Sequence, residues 1–223
     1  METTIAIFFS DVRQAAPNFT TAVGHLANSY FLKGGVLMGL LILSAAPARR
    51  RFFSSYNLHI VRTAGVIFIS MFVARVLQLA LPYRDRPIIP HDSEFADAYY
   101  SGMSSFPSDH AVLMTAIATA IFIRNRTIGL IAFAWTVAAI LAPRIYLGLH
   151  HPSDILAGLA LGAGVSWAMM RAPAPPGLQT WVETLETKHP APLYFLALIF
   201  AVETARNFED ARALARTVLD MVA

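Results

Sequence analysis

Long apolar stretches that halt at arginines dominate this sequence and leave few folds open to it. Tyr30 to Ala46, Thr63 to Leu81, Pro107 to Ile123, Ile128 to Ala142 and Pro152 to Met170 are each rich in apolar residues. Most approach the roughly 20 residues that cross a bilayer as a helix. A sixth run, Ala191 to Val202, is shorter. Only 14% of residues are charged and 56% are hydrophobic, whereas a soluble domain carries about a quarter charged residues. The expected fold is therefore all-α, a polytopic membrane helical bundle of about six transmembrane helices.

The flanks divide the chain further. Residues 1–28 are mixed in character and suit a segment lying at the membrane interface. Residues 29–205 hold the spans. From 206 to 223, Phe208, Ala211, Leu214, Ala215, Val218 and Leu219 recur at helical spacing with charges opposite, which predicts an amphipathic C-terminal helix. The net charge is +3, but the basic residues cluster beside apolar runs. That is the pattern of topology signals rather than of nucleic-acid binding. There are no cysteines, which excludes disulfides, zinc–thiolate sites and cysteine nucleophiles.

Arginines at 49–51, 124–126 and 171 fall in alternate loops. The positive-inside tendency assigns that side to the cytoplasm. The remaining loops, 82–105 and 142–152, then share the opposite, periplasmic face. Two polar intrusions open onto apolar runs there: Phe106-Pro107-Ser108-Asp109-His110, and the stretch from Arg144 to Asp154. Polar groups at such depth are costly without partners or a function.

That face gathers Arg84, Arg86 and Arg144, His91, His110, His150 and His151, Ser108, Asp85, Asp109 and Asp154. Guanidiniums on a low-dielectric rim suit a multiply charged oxyanion. A helix N-terminus after Pro107 adds free N–H groups and a favourable dipole. Paired histidines suit phosphoryl transfer through a covalent intermediate, one attacking phosphorus and the other protonating the leaving oxygen. Asp154 lies one helical turn beyond His150, where a carboxylate would orient an imidazole. Ser108 also fits a helix N-cap, and Asp109 a first-turn acid. No His-x-x-x-His pairing is present, and no metal or other cofactor is expected.

These residues resemble the type 2 phosphatidic acid phosphatase (PAP2) superfamily of lipid phosphatases, acid phosphatases and vanadium haloperoxidases. Its motifs are K-x6-R-P, P-S-G-H and S-R-x5-H-x3-D. Here the first survives as Arg86-Pro87, the second reads Pro107-Ser108-Asp109-His110, and the third runs from Pro143-Arg144 through His150 to Asp154. The resemblance covers about residues 60–170 and implies a PAP2/haloperoxidase-like core. It implies His150 as the nucleophile, Asp154 as its orienting partner and His110 as general acid and then base. It also implies that Arg86, Arg144, Ser108 and the backbone N–H of Asp109 hold the phosphoryl oxygens. The motif lysine is replaced by Leu79, the glycine by Asp109 and the serine by Pro143. Arg84 is the expected substitute for the lysine.

The expectation is thus an integral bacterial inner-membrane lipid phosphatase with its site facing the periplasm. Its partners would be the bilayer and a lipid phosphate substrate, with undecaprenyl diphosphate the first choice because the resemblance includes P-S-D-H, a form frequent in that bacterial branch. Phosphatidate, phosphatidylglycerophosphate and lipid A are the competing substrates. An anion-binding membrane protein without turnover is the competing class.

Overall fold

A computed structural model describes residues 2–45, 53–87, 104–188 and 190–208. The arginine turn at 49–51, His91, the acidic stretch from Asp92 to Asp97 and residues 209–223 of the expected C-terminal helix lie outside the described residues. Among the described residues the structure is entirely helical. We number nine helices: α1 (Glu2–Ala15), α2 (Pro17–Asn28), α3 (Phe31–Ala45), α4 (Phe53–Ala80), α5 (Asp109–Arg124), α6 (Arg126–Tyr146), α7 (Pro152–Arg171), α8 (Leu178–Lys188) and α9 (Pro190–Ala205).

Helix α5 is the hub. Every residue from His110 to Ile121 is buried, which matches an apolar run with no charged face to present. Ser108 caps its N-terminus, accepting from the Ala111 N–H at 3.4 Å. Asn125 separates it from α6 and caps that helix through the Ile128 N–H at 3.1 Å. The α5–α7 seam depends on two small residues. A Cβ added at Gly162 would lie 2.3 Å from the Val112 carbonyl oxygen, and one at Gly158 would lie 2.6 Å from the Ala111 Cβ. Between helices in lipid, such close backbone approach replaces the hydrophobic drive available in water. The outer surface is apolar, with Phe68, Phe72 and Leu79 of α4 and Trp167 of α7 exposed.

Helices α4, α6 and α7 are long and apolar enough to cross a membrane, through Leu58–Ala80, Arg126–Tyr146 and Pro152–Arg171. Helices α2 and α3 form a fourth candidate if counted together, bent by 58° at their junction. The expected six spans are therefore met in part. Helices α5 and α9 have 16 residues each, about 24 Å of helix at 1.5 Å per residue. Helix α5 is enclosed by its neighbours rather than facing lipid.

Two π-helical turns, Phe31–Gly35 in α3 and Thr136–Leu141 in α6, shift register where these helices meet. Trp135 Nε1 donates to the Leu32 carbonyl at 2.8 Å across that junction. At the arginine-rich end, Arg62 donates to the carbonyls of Met169 and Ala172, both at 2.6 Å, closing the C-terminus of α7. The other end gathers the C-terminal ends of α4, α6 and α9 with the N-terminal ends of α5 and α7. There α1 and α2, expected as an interfacial segment, pack on the end of α6. Arg13 donates to the Tyr146 carbonyl, Thr20 shares a 2.8 Å hydrogen bond with the Tyr146 hydroxyl, and Phe9 and Phe19 meet its ring edge-on.

Candidate active site

The two polar mouths meet at this end. The Ser108 N–H donates to the Asp154 carbonyl at 3.2 Å, which ties the start of α5 to the first turn of α7. The 84–87 segment runs alongside, with the Ser105 N–H donating to the Arg84 carbonyl at 2.9 Å.

His150 sits in the turn before α7 and is 3% exposed. Its Nδ1 lies 3.0 Å from the Ser105 carbonyl, which can only accept. The ring proton is therefore on Nδ1, and the lone pair is on Nε2. That lone pair faces Arg86, whose Nη1 is 3.3 Å away and also donates to the Leu149 carbonyl at 2.7 Å. Burial holds His150 below the usual imidazole value, and the charges of Arg86 and Arg144 act in the same direction. Asp154 and Asp109 oppose them. The net result is a neutral imidazole with an available lone pair, as a nucleophile requires.

Asp154 is fully buried, and its Oδ2 stands 3.8 Å from His150 Nδ1, too far for a hydrogen bond. Ser105 fills the gap. Its hydroxyl donates to Asp154 Oδ2 at 2.5 Å and lies 3.3 Å from His150 Nδ1. The orienting group reaches the imidazole through this serine, which the motif reading did not single out. A hydroxyl three residues before Ser108, at the edge of a buried run, was the available signal.

Arg84 is placed differently from its expected role. Its Nη1 donates to Asp154 Oδ1 and to the Ser153 hydroxyl, both at 2.7 Å, and its Nη2 pairs with Glu2 at 2.5 Å. Both nitrogens are committed to carboxylates on the far side of Asp154. Arg84 thus lies against the buried carboxylate of Asp154, and Leu79, at the position of the missing lysine, is 73% exposed on α4. Glu2 in turn accepts from the Ser153 N–H at 3.2 Å. Hydrogen bonding from Ser153, together with the Arg84 charge, holds its carboxyl below the usual range.

His110 lies in the first turn of α5 and is also buried. Its Nδ1 is 3.0 Å from Asp109 Oδ1, and its Nε2 has no partner among the described residues. The expectation for Asp109 concerned its backbone N–H; the structure brings its carboxylate onto His110. Asn207, just past α9, reaches the same pair. Arg144 is 3% exposed, with Nη1 3.3 Å from the Ile140 carbonyl. His151 stands at the N-cap of α7, its N–H donating to Asp154 Oδ2 at 2.8 Å. Among the described residues, no group of three or more His, Asp or Glu side chains is arranged to hold a metal ion.

Two buried histidines, each with a carboxylate nearby and arginines between the motifs, match a known pattern, and the sequence pattern of the PAP2 superfamily matches residues 59–176. The chain belongs to the PAP2 superfamily. It is a membrane phosphatase that acts on lipid phosphates. The chain is 36% identical over 132 residues to a decaprenylphosphoryl-5-phosphoribose phosphatase of Mycobacterium tuberculosis, an alignment covering 59% of this chain and 67% of that one. It is 33% identical to a lipid A 1-phosphatase of Rhizobium johnstonii, over 61% of this chain and 55% of the relative. It is 30% identical to the undecaprenyl-diphosphatase BcrC of Bacillus subtilis, over 48% and 55% respectively. No solved structure matches the chain significantly. These relatives are bacterial membrane phosphatases, and the chain is a bacterial membrane protein of the same PAP2 kind. Glu2 and Asn207 both lie outside the matched segment.

Proposed function

We propose that this PAP2 protein hydrolyses a polyprenyl-anchored phosphate, with undecaprenyl diphosphate the first substrate, releasing undecaprenyl phosphate and inorganic phosphate. The observation that carries the mechanism is the arrangement of His150, with Nδ1–H held by Ser105 and the Nε2 lone pair directed at Arg86. Nε2 attacks the terminal phosphorus, and the bond from phosphorus to the bridging oxygen breaks. His110 delivers a proton to that oxygen from Nε2. In the second half His110 Nε2 takes a proton from water, the resulting hydroxide attacks the phosphohistidine, and the bond from phosphorus to His150 breaks. Arg86, Arg144, Ser108 and the Asp109 N–H hold the equatorial oxygens, so catalysis is positioning and charge stabilisation.

The polyprenyl choice is supported by two relatives named for polyprenyl substrates and by an apolar surface continuous with the site end of α4. The relative named for a 5-phosphoribose ester favours a second reading, a polyprenyl phosphosugar monoester. The purified protein assayed on undecaprenyl diphosphate, decaprenylphosphoryl-5-phosphoribose, lipid A and phosphatidate separates them. Turnover confined to monoesters overturns the diphosphate. Acid-stable or base-stable labelling distinguishes the intermediate: a base-stable, acid-labile phosphoenzyme that disappears in His150→Ala is expected.

The site would face the periplasm across the inner membrane, because Arg62, Arg124, Arg126 and Arg171 mark the other end. A protease site inserted at Asn125 should resist external protease in intact spheroplasts. Cleavage there inverts this orientation.

A further inference from the structure

The proton donor is held by a residue from the far end of the chain. Helix α9 ends at Ala205, and the chain turns through Asn207 (φ 55°) and Phe208 (φ 56°) in the left-handed region. The turn is closed by the Asn207 N–H on the Thr204 carbonyl at 3.1 Å and the Phe208 N–H on the Glu203 carbonyl at 2.7 Å. Phe208 anchors it. Its ring lies 5.9 Å from Phe68 of α4 and 6.0 Å from Phe200 of α9, and those two rings are themselves 5.2 Å apart. With the turn fixed, Asn207 is 0% exposed. Its Nδ2 lies 3.1 Å from Asp109 Oδ2 and 3.3 Å from His110 Nδ1.

The donor and acceptor roles follow from the chemistry of each group. The Asn207 amide nitrogen can only donate, and the ionised Asp109 carboxylate can only accept. Asn207 therefore occupies Oδ2 and leaves Oδ1 turned toward His110 Nδ1, 3.0 Å away; its own 3.3 Å approach to Nδ1 sets two donors side by side and is not a hydrogen bond in this tautomer. An Nδ1–H held on Oδ1 keeps Nε2 as the exchanging position. Nε2 is the ring atom with no partner among the described residues. A proton entering Nε2 gives an imidazolium stabilised by Asp109, which is the form that protonates a leaving oxygen.

We propose that Asn207 is a positioning residue for acid–base catalysis, acting on His110 through Asp109, and that this turn after α9 is part of the active site. The inference rests on the reading of His110 as proton donor. Asn207 and its turn lie outside residues 59–176, the segment that matches the PAP2 pattern, while Asp109 and His110 lie inside it.

The test exploits leaving-group chemistry. A general acid contributes about 10²–10⁴-fold where the leaving oxygen is basic and little where it is not. Three variants, Asn207→Gly, Asn207→Asp and His110→Ala, are compared on an alkyl phosphate and on p-nitrophenyl phosphate. The phosphorylation step alone is followed, as the burst of alcohol or phenol release. Glycine keeps the left-handed turn and removes the amide; aspartate keeps the shape and removes the donor. Both Asn207 variants should lose about 10-fold or more on the alkyl ester and less than about 2-fold on the nitrophenyl ester. Thermal midpoints in detergent should stay near that of the parent protein. Equal losses on both esters would show a merely structural residue and overturn the proposal. A leaving-group-dependent loss in His110→Ala without one in either Asn207 variant would overturn it while leaving His110 in place. If His110→Ala itself shows no leaving-group dependence, the underlying reading of His110 fails instead.

Discussion

The two histidines of this phosphatase are supported very differently. His150 sits within a layered network: Ser105 touches its Nδ1, Asp154 stands behind Ser105, Arg84 behind Asp154, and Glu2 behind Arg84. His110 has a shorter chain of support, Asp109 and then Asn207. In the mechanism proposed above, His150 as nucleophile must present one lone pair at a fixed angle, so it gains from rigid support on its other nitrogen. His110 as the proposed acid–base group must gain and lose a proton in each cycle, and its Nε2 has no partner among the described residues. Dense support suits the group that attacks, and sparse support suits the group that exchanges protons.

Substitution of the histidines themselves tests that contrast most severely. His150→Ala should reduce turnover by about 10³-fold or more and abolish the phosphoenzyme. His110→Ala should reduce turnover by about 10²–10⁴-fold yet still allow the phosphoenzyme to accumulate on a good leaving group. Quenched-flow labelling separates the two, and loss of labelling in both variants would erase the division of roles. Ser105→Ala comes next. It strands Asp154 Oδ2 from the imidazole, and a lost buried hydrogen bond costs about 1–3 kcal/mol, about 5- to 150-fold in kcat by transition-state arithmetic. A smaller effect than that of Asn207→Gly would reverse the ranking of the two networks.

Arg84→Ala should lower kcat about 10-fold with KM changed less than about 2-fold, because it unbalances the charge of buried Asp154 rather than removing a substrate contact. A rise in KM alone would return Arg84 to the phosphate. Gly162→Ala probes the seam that joins both halves. Its Cβ would meet the Val112 carbonyl, and overpacking of this kind costs about 1–3 kcal/mol, seen as a lower thermal midpoint. The mildest expectation concerns pH. Burial keeps His150 neutral below the usual imidazole value, so a falling pH protonates it only at more acid values than a free imidazole, near 6.5. The acid limb of kcat/KM should accordingly begin below about 6.5; a limb above it would show that Asp154 and Asp109 outweigh burial at His150.

The helical bundle and the meeting of the two motifs were legible because each rests on short-range pattern. Apolar runs announced α4, α6 and α7, and the alternation of arginine-rich loops brought His110 and His150 to one face. What stayed hidden depends on long-range packing. Asn207 reaches Asp109 only because α9 returns to the site end and Phe208 locks into Phe68 and Phe200. An asparagine after an apolar run signals a left-handed helix end, but not what its side chain meets. Glu2 reads as an ordinary first-turn acid, and its pairing with Arg84 depends on how α1 packs. The ion pairs of Arg84 stayed hidden for a related reason. Spacing counts charges near a motif, whereas buried Asp154 must be neutralised and draws the nearest guanidinium to itself.

Glu2 and Asn207 enter the site from opposite ends of the described chain, and this bears on biosynthesis. As the helices insert in order from α1 to α9, the residues around His150 can assemble once α7 is in place. The support of the proton donor must wait for α9. A partly inserted chain would hold a phosphate-binding nucleophile without the positioned acid that completes turnover. Activity would then begin when the last helix docks, so that it reports on complete insertion.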